Sequence, residues 1–164
     1  MPCDLWALDT MSRVTAINHF NVTVTDMDRS LRFWRDLLGL DLIGRGVVEY
    51  EHLNQITGLE DARIEWAELG LPNGGMIEVF QYHRPKGKAV HPNTQDPGCT
   101  HVCLEVTGID ELVDHLQRHG VKTRSPGAVM IPSGSWRGVR SIYVLDPDGV
   151  TVEFIENPSA SSVG

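Results

Sequence analysis

The chain has 164 residues, 41% of them hydrophobic, with 14 Lys+Arg against 22 Asp+Glu and a formal charge of −8. That length suits one domain or two small half-domains sharing a core, and the acidic balance excludes a nucleic-acid binder, which needs a basic stripe to neutralise phosphates. Cys3, Cys99 and Cys103 lack metal-type spacing, residues 1–13 lack the basic start and apolar run of a signal peptide, and nowhere do 18 apolar residues run together, so reduced thiols, no membrane contact and a cytoplasmic location are expected.

In chain order, residues 1–14 read as an arm whose Leu5, Trp6 and Leu8 predict contact with a second copy in a homodimer, since a short apolar segment otherwise has little to bury against. Residues 15–24 alternate as a strand, with Phe20, Val22 and Val24 on one face and His19, Asn21 and Thr23 on the other. Asp26 or Asp28 is placed to cap a helix carrying Leu31, Trp34, Leu37 and Leu38, which Gly39 ends. A strand over 40–48 and a helical turn and loop over 50–61 follow. Strands 62–69 and 75–82 are joined by the turn Pro72-Asn73-Gly74-Gly75. Residues 15–82 thus make a βαβββ module, and the aperiodic, proline-rich segment 83–98 is a linker.

The same order returns over 99–156. Residues 100–106 alternate with His101, Cys103 and Glu105 on one face, and 109–119 form an amphipathic helix closed by Gly120. A strand near 121–131 is broken by Ser125-Pro126-Gly127, a polar loop covers 132–138, and strands 139–145 and 150–156 flank Asp146-Pro147-Asp148-Gly149. The tail 157–164 is small and polar and reads as disordered.

Each half therefore offers one histidine on its opening strand and one glutamate on its closing strand: His19 and Glu78, then His101 and Glu153. Alternation turns all four away from the apolar faces of their strands, where an unpaired charge is costly. Two imidazoles and two carboxylates around one divalent cation remove that cost, with Zn, Ni, Co, Mn or Fe as suitable ions. A lone strand histidine is ordinarily a hydrogen-bonded core residue and a lone edge glutamate is solvated; the duplicated placement sets these four apart. His52, His83 and His91 fall in loops, and His115 and His119 share a solvated helix face.

The stretches INHFNVTVTDMDRSLRFWRDLLGL, GMIEVFQY, GCTHVCLEVTGIDEL and IYVLDPDGVTVEFIE resemble the vicinal oxygen chelate superfamily, which includes glyoxalase I, methylmalonyl-CoA epimerase, extradiol dioxygenases and bleomycin-resistance proteins. The resemblance covers both halves. It implies an α+β fold in which two paired βαβββ modules form a cupped, barrel-like mixed sheet around one divalent metal held by His19, Glu78, His101 and Glu153. It also implies a small oxygenated substrate chelating that metal through neighbouring oxygens, with a metal-bound enediolate formed when the proton beside the carbonyl leaves.

The complete His/Glu/His/Glu set argues against an extradiol dioxygenase, which uses two histidines and one carboxylate, and against a non-catalytic binding module. A glyoxalase I-like lactoylglutathione lyase shares the set, but Val79-Phe80-Gln81-Tyr82-His83 replaces that enzyme's usual segment after the second ligand. The strand ARIEWAEL resembles the epimerase strand carrying a catalytic glutamate, which makes Glu65 a candidate base beside Glu153. With Ile64 and Trp66 packed on one face, Glu65 is expected to enter the cup beside Arg63 and Ala67, its pKa raised by partial burial. A proton-transfer epimerase or isomerase acting on a small ketone is the expected activity. One branch of this kind epimerises 2-epi-5-epi-valiolone, an uncharged cyclitol ketone compatible with the acidic chain.

Overall fold

A computed structural model describes residues 13–158; the apolar arm residues Leu5, Trp6 and Leu8 and the tail from 159 lie outside them. Strand β1 (Phe20–Thr23) leads into α1 (Met27–Leu31). The Asp26 carboxylate accepts the Arg29 backbone N–H at 2.8 Å, so Asp26 is the cap and Asp28 is released to pair with Arg45. The helix continues as a π-helical segment, Arg32–Leu37, in which the Leu38 N–H reaches back five residues to the Phe33 carbonyl. The wider turn lets two consecutive aromatics, Phe33 and Trp34, both bury at 2% and 0% exposure. Their rings meet edge to face at 5.1 Å. Gly39, at φ +72°, closes the segment.

Next come β2 (Asp41–Val48), α2 (Glu51–Thr57), β3 (Arg63–Gly70) and β4 (Met76–Arg84). They form a sheet in the order β1-β4-β3-β2, with β1 and β4 parallel and the remaining pairs antiparallel. His83, expected in the linker, belongs to β4. The second half gives β5 (His101–Glu105), α3 (Ile109–Arg118), β6 (Lys122–Thr123), β7 (Val129–Met130), β8 (Arg140–Leu145) and β9 (Thr151–Glu156). Its sheet runs β5-β9-β8-β6, with β7 also on β8, and again its first and last strands pair in parallel. The broken strand near 121–131 is reduced to the two short strands β6 and β7. Between them, the hydroxyls of Thr123 and Ser125 donate to the carbonyls of Ser125 and Gly127, an alternative to the sheet ladder.

Among the described residues no strand of one sheet pairs with the other, so the fold is α+β with two mixed sheets rather than a closed barrel. The apolar faces of both sheets meet in one core. Val22, Leu69, Ile77 and Val79 from the first sheet, Ile142, Val144, Val152 and Phe154 from the second, and helix residues Leu31, Trp34 and Leu116 belong to it. Fully burying each such side chain stabilises by about 1.5–3 kcal/mol. Asp148 ties the halves by accepting from Thr25 Oγ1 at 2.6 Å and Arg29 Nη2 at 2.7 Å. No helix among the described residues is long and apolar enough to cross a membrane.

Candidate metal centre

With the apolar faces of both sheets committed to the core, the opposite faces are left open. Alternation along β1 sends Val22 inward, and Asn21 outward opposite Glu78 in the parallel register. His19, just ahead of the strand, reaches that open face, its Nε2 3.1 Å from Glu78 Oε2. Its Nδ1 lies 2.8 Å from the Asn18 amide oxygen, which can only accept, so in this pairing Nδ1 carries the proton. With that assignment Nε2 is the nitrogen that faces the Glu78 carboxylate. That arrangement is favourable only with a cation or a second proton between them, and a divalent ion fits it.

The second half repeats the geometry. His101 Nε2 stands 3.1 Å from Glu153 Oε2, while Ser141 Oγ donates to Glu153 Oε1 at 2.7 Å, orienting the carboxylate. The Tyr143 ring lies 5.3 Å from that of His101. Cys103 faces Glu153 across the strand pair, and burial, followed by the Glu153 and Glu105 charges, pushes its thiol up to about 11.

Each expected histidine thus meets its expected glutamate, but the two pairs do not meet each other. Among the described residues no three His, Cys, Asp or Glu side chains of one chain are arranged to hold a metal ion. Both sheets spend their apolar faces on a shared core, so their open faces, and the half-sites on them, turn away from it.

The expected placement of Glu65 is also corrected. In the β3–β4 register Ala67 faces Val79 and Leu69 faces Ile77, all core residues, and Glu65 shares that side opposite Gln81. Gln81 accepts the Met27 backbone N–H at 2.8 Å, which marks this side as the one packed by α1. Glu65 Oε1 accepts from Arg45 Nε at 2.8 Å and Nη2 at 2.6 Å, and Oε2 lies 3.0 Å from His83 Nε2. Burial raises its pKa, but the hydrogen bonds from Arg45 and His83 outweigh that and hold it below the usual carboxylate range.

The residues that do share the open face with Glu78 are Glu68, directly across from it, and Trp66. The Glu68 carboxylate leans toward Gly44, where an added Cβ would lie 3.9 Å from Oε2. Neither residue was picked out from the sequence, although counting back from Glu78 across the 72–75 turn reaches Glu68. Tyr143 holds the corresponding place opposite Glu153 in the second sheet.

Comparison with known proteins shows the family. A 2-epi-5-epi-valiolone epimerase from an Actinomyces species is 25% identical over 152 residues, covering 89% of this chain and 81% of that protein. A lactoylglutathione lyase from Haemophilus influenzae is 28% identical over 149 residues, covering 89% and 96%. The crystal structure of a glyoxalase family protein from Bacillus cereus superimposes with a TM-score of 0.80 at 25% identity, covering 92% of this chain and 99% of that one. Residues 16–154 match the family model, and the chain belongs to the Glyoxalase/Bleomycin resistance protein/Dioxygenase superfamily.

Proposed function

We propose that this protein is a divalent-metal-dependent epimerase or isomerase that moves the proton beside the carbonyl of a small oxygenated ketone, with its metal site completed between two copies of the chain. The observation that carries the reading is the pair of matching half-sites, His19 with Glu78 and His101 with Glu153, each at 3.1 Å on an open sheet face. Two ligands are too few for a tight site, and a two-fold dimer that sets the first half-site of one copy against the second of its partner supplies four. His19, Glu78, His101 and Glu153 would hold the ion there, and it would supply Lewis-acid stabilisation of the oxygens of the substrate.

The protein's own contribution is to hold and to move the proton. Glu153, oriented by the Ser141 hydroxyl, is assigned to leave the metal and take the proton from one face of the carbon beside the carbonyl, and a second carboxylate to return a proton to the opposite face. Glu68 is the second open-face carboxylate, placed across from Glu78 to relay a proton or hold a substrate hydroxyl. A cyclitol ketone such as 2-epi-5-epi-valiolone is the leading substrate. It is uncharged, as suits a chain of formal charge −8, and a relative carries that activity at 25% identity. A lactoylglutathione lyase is the second reading, favoured by the 28% identical relative. Metal-loaded protein incubated with cyclitol ketones in deuterium oxide tests the choice. Exchange beside the carbonyl without glutathione supports the epimerase, whereas turnover that requires a glutathione adduct replaces it with the lyase.

A further inference from the structure

Away from both open faces, a cavity of about 710 Å3 lies where the β8–β9 turn, the π-helical segment, the linker around His91 and the chain leaving α3 converge. Its charges are unevenly matched. Asp148 is already paired with Arg29, and Asp36 with Arg35. Arg32, Lys122 and Arg124 also line the cavity, and none of them has an ion-pair partner among the described residues. In a chain of formal charge −8, three unmatched cations around one cavity create a local field that favours anions. One further lining donor, Arg29 Nε, is buried without a hydrogen-bond partner, which is costly unless an acceptor meets it, while the remaining lining carboxylate, Asp146, is held by the backbone N–H groups of Asp148 and Val150.

The rest of the lining is apolar. Phe33, Leu37, Val121 and Leu145 contribute to it, and the volume matches that of small-molecule pockets in general. The acidic groups do not gather into a metal cluster, since no group of three such ligands occurs among the described residues. Cationic groups beside an apolar wall fit an organic anion: the body lies on the wall while arginine forks and the lysine hold the charged end.

We propose that this cavity is a second small-molecule site, separate from the metal centre, that binds an organic phosphate monoester. A phosphate dianion answers three cations better than a single carboxylate does, and its oxygens can accept from Arg29 Nε as well as from Arg32 and Arg124. The fluorescent monoester 1-naphthyl phosphate is a direct probe of both halves of the site. Titrated into the metal-loaded protein, it should bind saturably at one per chain, more tightly than 1-naphthol or inorganic phosphate alone. Arg32→Ala/Arg124→Ala should weaken it by about tenfold or more, the scale of lost charge-assisted hydrogen bonds. Arg32→Lys/Arg124→Lys should retain an intermediate affinity, and Glu78→Ala should leave binding unchanged. Absence of saturation in the millimolar range, or undiminished affinity in the double alanine variant, would overturn the site. Loss of binding in Glu78→Ala would instead place the probe at the metal centre and overturn it equally.

Discussion

Arg45 grips Glu65 with two nitrogens on one carboxylate oxygen, at 2.8 and 2.6 Å, while a third nitrogen reaches Asp28 of α1 at 2.7 Å. The pair joins β2, β3 and the helix on the side of the sheet opposite the half-site. A positioned general base is worth about 10²-fold or more, and Glu65→Gln should instead keep turnover well within about tenfold of wild type. The change should cost about 1 kcal/mol of stability, discounted for the exposure of Arg45. Because its native pKa is depressed, Glu65 contributes stability that is present above the unfolded carboxyl range and is lost as pH falls through the native value. Turnover and acid unfolding of the variant check both points, and a hundredfold loss of turnover with metal retained would restore Glu65 as the base.

Half-sites on separate faces predict complementation between damaged chains. His19→Ala and Glu153→Ala should each lose metal and activity as pure proteins. Mixed and reassociated, they form dimers in which one of the two sites pairs an intact first half-site with an intact second. Random exchange then restores about a quarter of the sites. Metal content and activity measured before and after mixing decide this; a site built within one chain would show no recovery. Chelation should lower thermal stability as well, because an ion that binds only the native dimer stabilises it by mass action.

Asp146 sits at the head of the β8–β9 turn, where Oδ1 accepts the backbone N–H groups of Asp148 at 2.9 Å and Val150 at 2.8 Å. Burial pushes its carboxyl up to about 6 despite these bonds. The native state therefore holds a proton that the unfolded chain releases near pH 4. The contribution of Asp146 to stability falls as pH rises from about 4 to about 6 and is constant above, a change of up to about 3 kcal/mol. Asp146→Asn keeps the accepting oxygen without the charge. Its urea midpoint relative to wild type should rise over that interval; parallel curves would mean that Asp146 ionises normally.

The glycines of β2 make room for Trp66. A Cβ on Gly46 would lie 3.0 Å from Trp66 Cζ2, and one on Gly44 would lie 3.1 Å from the same ring. Gly46→Val should therefore force the indole off the strand at a cost of about 1–3 kcal/mol and disturb the face that carries Glu68 and Glu78. In a Trp66→Leu background the same substitution should cost less, as contacting residues do in a double-mutant cycle. Equal cost in both backgrounds would trace the effect to strand propensity instead.

The four half-site residues were legible in the sequence because each lies in or just ahead of a short strand whose residues alternate cleanly. Val22 and Val24 around Thr23, Ile77 and Val79 around Glu78, and Val152 and Phe154 around Glu153 leave one choice of face. The strand ARIEWAEL is different. Its apolar residues fall at 62, 64, 66, 67 and 69, so the alternation slips between Trp66 and Ala67 and either face could be the inner one. Only packing chose: Ala67 and Leu69 fit against Val79 and Ile77 in the core, and Trp66 lay over Gly44 and Gly46 on the open side. That choice sent Glu65 to the helix and Glu68 to the half-site. The separation of the two half-sites was equally beyond the sequence, because a repeat of ββ and α elements specifies each module but not which faces the modules bury against one another. The shared apolar core decided that, since burying both inner faces together removes the most hydrocarbon from water and leaves each His–Glu pair facing outward.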